Sequence, residues 1–434
     1  MAARGAGVRL FDAEGRDYID ACGGAAVSCL GHSHPAPIAA IRAQAERLAY
    51  AHTAFFTSEP AERLAADLIG RAPAGFGEGR AILLGSGSEA IEAALKLARQ
   101  YHLERGDSRR GKFIAREMAY HGATLGALAV GGHVARRATY APMLIDVGRI
   151  PACHAYRGQA SGETLEAYGQ RVADALEVEI LRIGPENVAA FIAETVSGAT
   201  LGCAPPAPGY FKRIRDICDR YGVLLIADEV MCGSGRTGTF FAMEQEGVAA
   251  DIIVVAKGLG AGLQPIAATL ASRRIVAAIE AGSAALAHGQ TYMSHPVVCA
   301  AALAVLKTID DENLLANVAA RGAQLRGLLE ARLGRHPHVG DIRGRGLFFG
   351  VELVRDRATK EPFPAAARLA SRLKEAAMAE GLMIYPASGA ADGVLGDHAM
   401  IAPPYIVNAS EIAIIVARFE TALGRALEAA DAAT

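Results

Sequence analysis

Tryptophan is absent from this sequence of 434 residues, and so is an excess of charge of either sign. The 44 Lys and Arg residues nearly match the 46 Asp and Glu residues, which gives a formal net charge of -2. Proteins that bind nucleic-acid phosphates usually carry a basic surface, which this balance does not support. No apolar run in the sequence approaches the ~20 residues that a membrane helix needs. We therefore expect neither a nucleic acid nor a membrane among the partners.

Closely spaced cysteine pairs are lacking too. The seven cysteines are scattered and form no CxxC motif, at positions 22, 29, 153, 203, 218, 232 and 299. Disulfide frameworks and structural zinc sites need tighter spacing, so we predict neither. The first 20 residues lack the apolar segment and the small-residue cleavage site of a secretory signal. These absences favour a cytoplasmic protein with no bound metal, whose thiols are small core residues.

Apolar residues, by contrast, are abundant. They make up 52% of the chain against 21% for charged residues, which is enough for a large core. Four short apolar runs alternate with amphipathic stretches and predict strands buried on both faces, at 81–84, 189–193, 223–227 and 252–256. This alternation is typical of an α/β fold with a mostly parallel sheet flanked by helices.

The pattern changes after residue 300. Predicted helices at 300–309, 314–333, 365–380 and 411–429 flank strand-like runs at 346–353 and 382–385. This mixture indicates a smaller α+β domain. We therefore divide the chain into an N-terminal segment that packs with the small domain, a large cofactor-binding domain and a C-terminal small domain, at residues 1–55, 56–300 and 301–434.

A candidate anion site follows the first of the buried strands. Ser86, Gly87 and Ser88 precede apolar residues spaced i, i+3, i+4 and i+7, which predict a helix. Ser86 and Glu89 have the spacing of a capping box. A helix N-terminus presents free N–H groups and the positive end of its dipole, and both favour a bound phosphate. An ordinary capped helix would show the same pattern, so this motif alone does not separate the two interpretations.

Reactive side chains follow two further strands. Asp228 and Glu229 come after the run 223–227, and Lys257 comes after the run 252–256. In open α/β sheets, ligands bind beyond the carboxyl ends of the strands. A carboxylate there caps the next element or holds a cation, and Glu229 fits a cap. A lysine there either reaches solvent or, with a lowered pKa, becomes the nucleophilic amine of a Schiff base.

A phosphate cradle, a carboxylate for a pyridinium nitrogen and a lysine for an aldehyde together match what pyridoxal phosphate needs. The same segments resemble those of the class III (omega-type) aminotransferases, pyridoxal-phosphate enzymes of fold type I. The resemblance covers essentially the whole chain through GSGSEAIEAALKLAR (85–99), AYHGAT (119–124), FIAETVSG (191–198), IADEVMCGSGRTG (226–238), AKGLGAGLQPIAA (256–268), HGQTYMSHPVVCAAAL (288–303) and RGRGLFFGVEL (343–353). It implies a large domain with a mostly parallel seven-stranded sheet.

The resemblance also implies roles for individual residues. Lys257 resembles the lysine that bonds to the cofactor and later moves a proton on the substrate, and Asp228 resembles the aspartate paired with the ring nitrogen. The other implied cofactor-binding residues are Ser86, Gly87 and Ser88 at the phosphate, Tyr120 and Val230 on the ring faces, His121 and Glu194 near the ring, and Thr291 at the phosphate of the neighbouring subunit's cofactor. His121 either positions the ring or stabilises its own turn. A homodimer, or a dimer of dimers, with shared sites is therefore expected.

The sequence departs from the family pattern in two places. Thr195 follows Glu194 where relatives often have a proline. Several relatives bind the substrate carboxylate with an arginine shortly before a Pro-Pro pair, but residues 389–407 contain no arginine. The run is similar to that of amine- and β-alanine-type members, without the mobile arginine that some of those carry upstream. The resemblance therefore leaves the carboxylate-binding residue open.

We expect a substrate pocket with aromatic and aliphatic walls, which favours a donor of apolar character. Its predicted lining is Cys29, Leu30, Phe55, Phe56 and Tyr120. A keto acid still needs a cation, for which Arg149 and Arg157 are candidates, although solvated loop arginines would look the same. Arg236, in the turn GRTG, is expected to be structural.

The predicted reaction is ping-pong transfer of an amino group from an amine or amino-acid donor to a keto acid such as pyruvate or 2-oxoglutarate. The same family contains racemases, aminomutases and a decarboxylase, which these motifs do not separate from transaminases. A dinucleotide-dependent oxidoreductase or a ligand-binding protein would need the loop 258–262 to bind a dinucleotide. That loop lacks the third glycine of G-x-G-x-x-G and would leave Lys257 and Asp228 unexplained.

Overall fold

A computed structural model describes residues 1–431, so the last three positions of the predicted 301–434 domain lie outside the described residues. The helices α1 to α14 are, in chain order, Gly23–Ala26, Pro35–Arg47, Glu59–Gly70, Gly87–Glu104, Leu125–Val130, Val134–Ala138, Ala155–Gly158, Leu165–Ile183, Tyr210–Tyr221, Arg273–Ala281, Pro296–Asp311, Leu314–Leu333, Leu369–Ala379 and Ala409–Asp431. The strands β1 to β15 are Ala2–Ala6, Arg9–Asp12, Asp17–Asp20, Arg80–Leu84, Lys112–Arg116, Gly148–Ile150, Val188–Glu194, Leu224–Asp228, Ile252–Val255, Ala267–Ala271, Val339–Arg345, Phe348–Leu353, Leu382–Met383, Tyr385–Ala387 and Asp397–Ile401.

A seven-stranded sheet forms the centre of the described chain, in the order β4-β10-β9-β8-β7-β5-β6. The strands from β9 to β6 run parallel, whereas β10 is antiparallel to both of its neighbours. Every residue of β7, β8 and β9 is buried. One face of the sheet packs against α3, α8, α9 and α11, and the other packs against α4, α5 and α10. These observations confirm the predicted α/β fold with a mostly parallel sheet.

The four predicted buried strands correspond to β4, β7, β8 and β9, and each end differs from the prediction by at most one residue. The carboxyl ends of β7 and β8 lie side by side, because Glu194 and Asp228 are register partners. Parallel pairing of β8 with β9 brings the residues after β9 to the same edge. The sheet therefore gathers the predicted reactive residues on one side of the molecule.

The two ends of the described chain fold together. Strand β13 pairs in parallel with β3 and completes a four-stranded sheet in the order β1-β2-β3-β13. A second four-stranded sheet, in the order β11-β12-β15-β14, shares a core with α12, α13 and α14. Helix α13 is shorter than the predicted helix 365–380, because a 3₁₀ turn at Ala365–Ala367 and a left-handed Arg368 precede it. None of the helices described combines the length and the apolar character needed to cross a membrane.

Candidate active site

A cavity of about 480 Å³ opens at the carboxyl ends of the parallel strands. It lies where open α/β sheets bind their ligands. Nine of the ten predicted cofactor-binding residues line it: Ser86, Gly87, Ser88, Tyr120, His121, Glu194, Asp228, Val230 and Lys257. The tenth residue, Thr291, does not. The sequence motifs, far apart along the chain, therefore converge on one site.

Helix α4 begins at this cavity. The Ser86 hydroxyl caps the helix by accepting the N–H of Glu89 at 3.3 Å. The Glu89 carboxylate accepts the N–H of Gly85 at 2.9 Å rather than that of Ser86, so the predicted capping box is displaced by one residue. The first turn of a helix has N–H groups without intrahelical acceptors. A Cβ atom at Gly87 would lie 3.1 Å from a methyl group of Val230, so glycine keeps this end of the cavity open for an anion such as phosphate.

The Asp228 carboxylate is fixed at the end of β8. Its Oδ2 lies 2.7 Å from Nδ1 of His121, and its Oδ1 accepts the N–H of Val230 at 2.9 Å. Both Asp228 and His121 are buried. The other ring nitrogen, Nε2 of His121, is buried and has no hydrogen-bond partner within residues 1–431. A buried polar atom without a partner costs free energy, so the pairing of His121 with Asp228 carries a cost in stability.

Lys257 follows β9 in a 3₁₀ turn, Lys257–Leu259, with a φ of 46°. This left-handed conformation is strained for a residue with a side chain, and such strain is concentrated at functional sites. Burial lowers the pKa of Lys257, although Asp228 and Glu194 favour its charged form. In the part of the chain that the structure describes, its amine has no hydrogen-bond or ion-pair partner. The amine is therefore neutral and nucleophilic at a lower pH than that of an exposed lysine.

Glu194 holds the loop that carries Tyr120. Its carboxylate accepts the N–H of Gly198 at 3.0 Å and the N–H of Tyr120 at 3.4 Å. Burial raises the pKa of Glu194, and electrostatic interactions with His121 and Arg116 oppose that increase. Glu194 thus contacts the cavity and also fixes the backbone beside it.

Thr195 stands where relatives often have a proline, and its contact with the neighbouring acid Glu229 explains the threonine. The Thr195 hydroxyl donates to Oε1 of Glu229 at 2.8 Å. The Glu229 carboxylate also accepts the N–H groups of Ala242 and Met243 at 2.6 and 2.7 Å, at the start of the 3₁₀ turn Ala242–Glu246. Burial raises the pKa of Glu229 to about 7. Glu229 is the cap that its position suggested, and Thr195 is one of its donors.

Thr291 lies on the surface in the loop before α11 and does not line the cavity. Its carbonyl oxygen accepts the hydroxyl of Tyr50 at 2.8 Å. The rings of Tyr50 and Tyr292 lie 5.7 Å apart. Within one subunit the structure does not bring Thr291 into the cavity, so its role toward a neighbouring subunit stays a prediction.

The predicted lining of the substrate pocket was wrong for Cys29 and Leu30, whereas Phe55 and Phe56 stay a prediction toward a neighbouring subunit. Cys29 and Leu30 are buried in the core that joins the two chain ends, and Val27 lines the cavity instead. Phe55 and Phe56 are 78% and 70% exposed and do not line the cavity of their own chain. The remaining apolar wall consists of Val196, Ala199, Met231, Leu263, Pro265 and Ile266. Only the tertiary fold brings these residues together.

The two arginines considered for a substrate carboxylate are occupied elsewhere. Arg149 donates to the carbonyl groups of the three consecutive residues 129–131. Arg157 lies 2.5 Å from the Glu352 carboxylate. Neither lines the cavity, and neither is the solvated loop residue that was the alternative. Arg236 is fully buried and donates to two carbonyl groups, at 3.1 and 2.6 Å, which confirms its structural role.

Sequence reasoning missed Arg136, on the short helix α6. Its guanidinium carbon lies 4.6 Å from the ring centroid of Tyr120, which lines the cavity. The run HVARRATY around it contains none of the motifs that marked the other site residues. Only the fold of the loop between Tyr120 and α6 reveals this contact.

The loop 258–262 is not a dinucleotide fingerprint in structural terms. It leads into β10, which runs antiparallel to β9. A dinucleotide loop must instead open the helix of a parallel βαβ unit. The residues just beyond it, 262–266, form one wall of the cavity beside Lys257. The oxidoreductase alternative therefore loses its only motif.

Comparison with known proteins points the same way as the cavity. Residues 1–423 match the family described as aminotransferase class III. An uncharacterized aminotransferase of Schizosaccharomyces pombe is 47% identical over 410 residues, 94% of this chain and 89% of that protein. A taurine–pyruvate aminotransferase of Rhodobacter capsulatus is 37% identical over 426 residues, 97% of this chain and 90% of that protein.

Solved structures agree in fold as well as in sequence. The crystal structure of the omega transaminase from Pseudomonas jessenii in complex with PMP superposes with a TM-score of 0.92 at 35% identity, and the match covers 99% of this chain and 93% of that one. At this identity the likeness extends beyond the fold. The chain belongs to the class III aminotransferases of fold type I, enzymes that use pyridoxal phosphate.

Proposed function

We propose that this aminotransferase moves an amino group from an amine or amino-acid donor to a keto acid, such as pyruvate or 2-oxoglutarate, by a ping-pong mechanism. The observation that carries this proposal is the meeting of Lys257, the Asp228–His121 pair and the start of α4 in one cavity. The relatives named as aminotransferases support amino transfer over racemisation, mutase chemistry or decarboxylation.

The residues of the cavity fit pyridoxal phosphate. When bound, this cofactor supplies an aldehyde carbon that bonds to amines and a ring that withdraws electrons from the substrate. In our proposal, Ser86, Gly87 and Ser88 hold its phosphate at the start of α4. Asp228 accepts a hydrogen bond from the ring nitrogen, and His121 acts through Asp228 as a positioning residue. Tyr120 and Val230 contact the two faces of the ring.

Lys257 has two tasks in the proposed reaction. Its amine would hold the cofactor through the aldehyde carbon in the resting enzyme. When an amino substrate takes that place, the freed amine would accept the proton from the Cα atom of the substrate and hold it as an ammonium group. A lowered pKa suits both tasks because only the neutral amine is a nucleophile and a base. Val196 and Met231 form part of an apolar wall of the same cavity.

We also propose a homodimer in which Thr291 serves the partner's site. The exposed aromatic residues Phe55, Phe56 and Tyr292 support an interface here, because exposed apolar clusters mark protein contacts. Mixing Lys257→Ala and Thr291→Ala subunits places both lesions in one site of a mixed dimer and leaves the other site intact, so activity should reappear. No recovery despite demonstrated subunit exchange would contradict the shared site.

A cytoplasmic location is part of the same proposal. All seven cysteines are buried free thiols. Free thiols persist in reducing compartments, whereas oxidising compartments favour disulfides. Fractionation of cells that express the tagged full chain tests this, and recovery from an extracytoplasmic fraction would contradict it.

The reaction itself is tested by its two halves. Purified holoenzyme is mixed with a panel of amino donors, and the absorbance of the bound cofactor is followed before and after adding pyruvate or 2-oxoglutarate. We expect a donor to change the spectrum, a keto acid to restore it, and one keto product to form per amino product. Release of carbon dioxide would instead indicate a decarboxylase, and inversion of the donor without consumption of keto acid would indicate a racemase.

A further inference from the structure

A cation with no acidic partner lies against the ring of Tyr120, one of the residues that line the cavity. Arg136 lies over the Tyr120 ring, with 4.6 Å between the guanidinium carbon and the ring centroid. It is exposed, and among residues 1–431 it makes no ion pair or hydrogen bond to a side chain. Stacking on an aromatic face leaves the edge of the guanidinium, with its N–H donors, free for a planar anion.

Arg136 also acts on the reacting group. Its positive charge is one of the effects that lower the pKa of Lys257, after burial as the dominant cause. The charge of Arg136 and the amine of Lys257 therefore interact electrostatically.

The rest of the cavity offers an anionic substrate little attraction. Asp228 and Glu194 both line it, and both are acidic. Among nearby cations, Arg116 donates to the Glu194 carbonyl at 2.6 Å and to the Ser197 hydroxyl at 3.2 Å. Arg149, Arg157 and Arg236 are engaged away from the lining, as described above. A carboxylate that enters this site needs a cation, and Arg136, stacked on the Tyr120 ring, has no acidic partner among the described residues.

We propose that Arg136 binds the carboxylate of acidic substrates, both the keto-acid acceptor and acidic amino donors, and thereby sets which substrates the cavity accepts. This inference rests on the proposed transaminase function. The carboxylate pairs with the edge of the guanidinium while the Tyr120 ring supports its face. Neutral amines do not use this contact and depend on the apolar wall instead.

The test compares Arg136→Gln with Arg137→Gln, a matched control that removes the same charge from the next residue of α6. Binding of glutarate, an unreactive dicarboxylate, is measured on each holoenzyme by calorimetry. Rapid mixing then gives the rate constants for 2-oxoglutarate and for a neutral amine such as benzylamine. Losing a charged hydrogen-bonding partner weakens binding by roughly 10- to 100-fold.

We expect Arg136→Gln to weaken glutarate binding and the 2-oxoglutarate rate constant by that factor, with the benzylamine rate changed by less than about twofold. Arg136→Lys should restore part of the loss, because it keeps the charge but not the planar fork. Unchanged glutarate affinity, or an equal loss in Arg137→Gln, would overturn the proposal. If wild-type enzyme binds glutarate but transfers no amino group, the proposed reaction fails while the carboxylate site stands.

Discussion

Two regions of this chain contain buried charged groups, and they differ in how completely those groups are paired. Beside the C-terminal sheet, the fully buried Glu352 lies 2.6 Å from Nη1 of Arg343, 2.5 Å from Nε of Arg157 and 3.3 Å from Nε2 of His154. In the cavity, Asp228 pairs with His121, but the amine of Lys257 has no such partner within the described residues. The first region pairs its charged groups, whereas the second leaves one amine available.

The pKa shifts follow from that difference. Burial disfavours the charged form of Glu352, but Arg343, His154 and Arg157 outweigh burial and hold the pKa of this carboxyl well below its usual range. Burial also disfavours the charged form of Lys257, and there it prevails, so the pKa of the amine is lowered. The Glu352 cluster thus stabilises the fold, while the cavity keeps a neutral base and nucleophile ready. Substitutions in the two regions should therefore affect different measurements.

Lys257→Ala should have the largest effect on activity. It removes the only group that we propose both bonds to the cofactor and moves the substrate proton, so turnover should fall by at least about 10³-fold. The unfolding free energy of the apoenzyme should change by less than about 1 kcal/mol, since no ion pair is lost. Steady-state assays and denaturant titration give the two values. A large loss of stability would assign Lys257 a structural role and would contradict the contrast between the cavity and the Glu352 cluster.

Glu352→Gln should show the reverse behaviour. It removes the carboxylate shared by the half-buried Arg157 and the buried Arg343, which keeps Asp341 as a partner, and this should cost about 3 kcal/mol of unfolding free energy. The control Glu361→Gln removes an exposed acid that lies 3.6 Å from Arg355, and should cost less than about 0.5 kcal/mol. Turnover per folded Glu352→Gln molecule should stay near the wild-type value. Equal unfolding free energies of Glu352→Gln and Glu361→Gln in urea would show that the buried cluster contributes no more to stability than an exposed ion pair.

Asp228→Asn tests the role of a charged residue inside the cavity. The side chain keeps its size but loses the charge that we assign to the ring nitrogen, so turnover should fall by about 10²-fold. The absorbance of the bound cofactor should change as well, which a purely structural role for Asp228 would not cause. Near-normal turnover with an unchanged spectrum would rule out the assigned role.

The smallest expected effect is the pH dependence of the stability that the Glu352 cluster contributes. Because the folded pKa of Glu352 is lowered, its contribution to stability is present above the ordinary glutamate pKa of about 4.3 and is lost as the pH falls below it. The stability gap between wild type and Glu352→Gln should therefore be constant near pH 7 and shrink below about pH 4.3. Urea titrations of both proteins across this range measure the gap. A gap that widens on acidification would contradict the assigned sign.

Much of the fold could be predicted because its central strands are buried on both faces and read as continuous apolar runs. Three strands of the same sheet gave no such signal. Strand β5 begins and ends with a charged residue, β6 has three residues, and β10 reads AATLA, which is poor in β-branched residues. The central strands of the sheet could therefore be predicted from the sequence, whereas its total of seven strands was implied only by the resemblance to the family.

The cofactor end of the site could be predicted because its residues sit in short motifs at strand ends. The substrate end could not, since it is assembled from segments with no motif of their own. Val27 reaches the cavity only because the N-terminal segment packs beside the loop after Lys257. Arg136 contacts Tyr120, a residue of the cavity lining, only because the loop after Tyr120 folds back over that ring. Tertiary contacts of this kind leave no periodicity or spacing in the sequence.

The central claim is that the unpaired amine at the end of β9 is the group that bonds to pyridoxal phosphate. Borohydride reduction of the holoenzyme fixes that bond, and digestion followed by mass spectrometry locates the labelled lysine. We predict that the label lies on Lys257 alone, in the segment AKGLGAGLQPIAA, and that Asp228→Asn enzyme still carries it there. A label on any other lysine, or none on a yellow holoenzyme, would contradict the account.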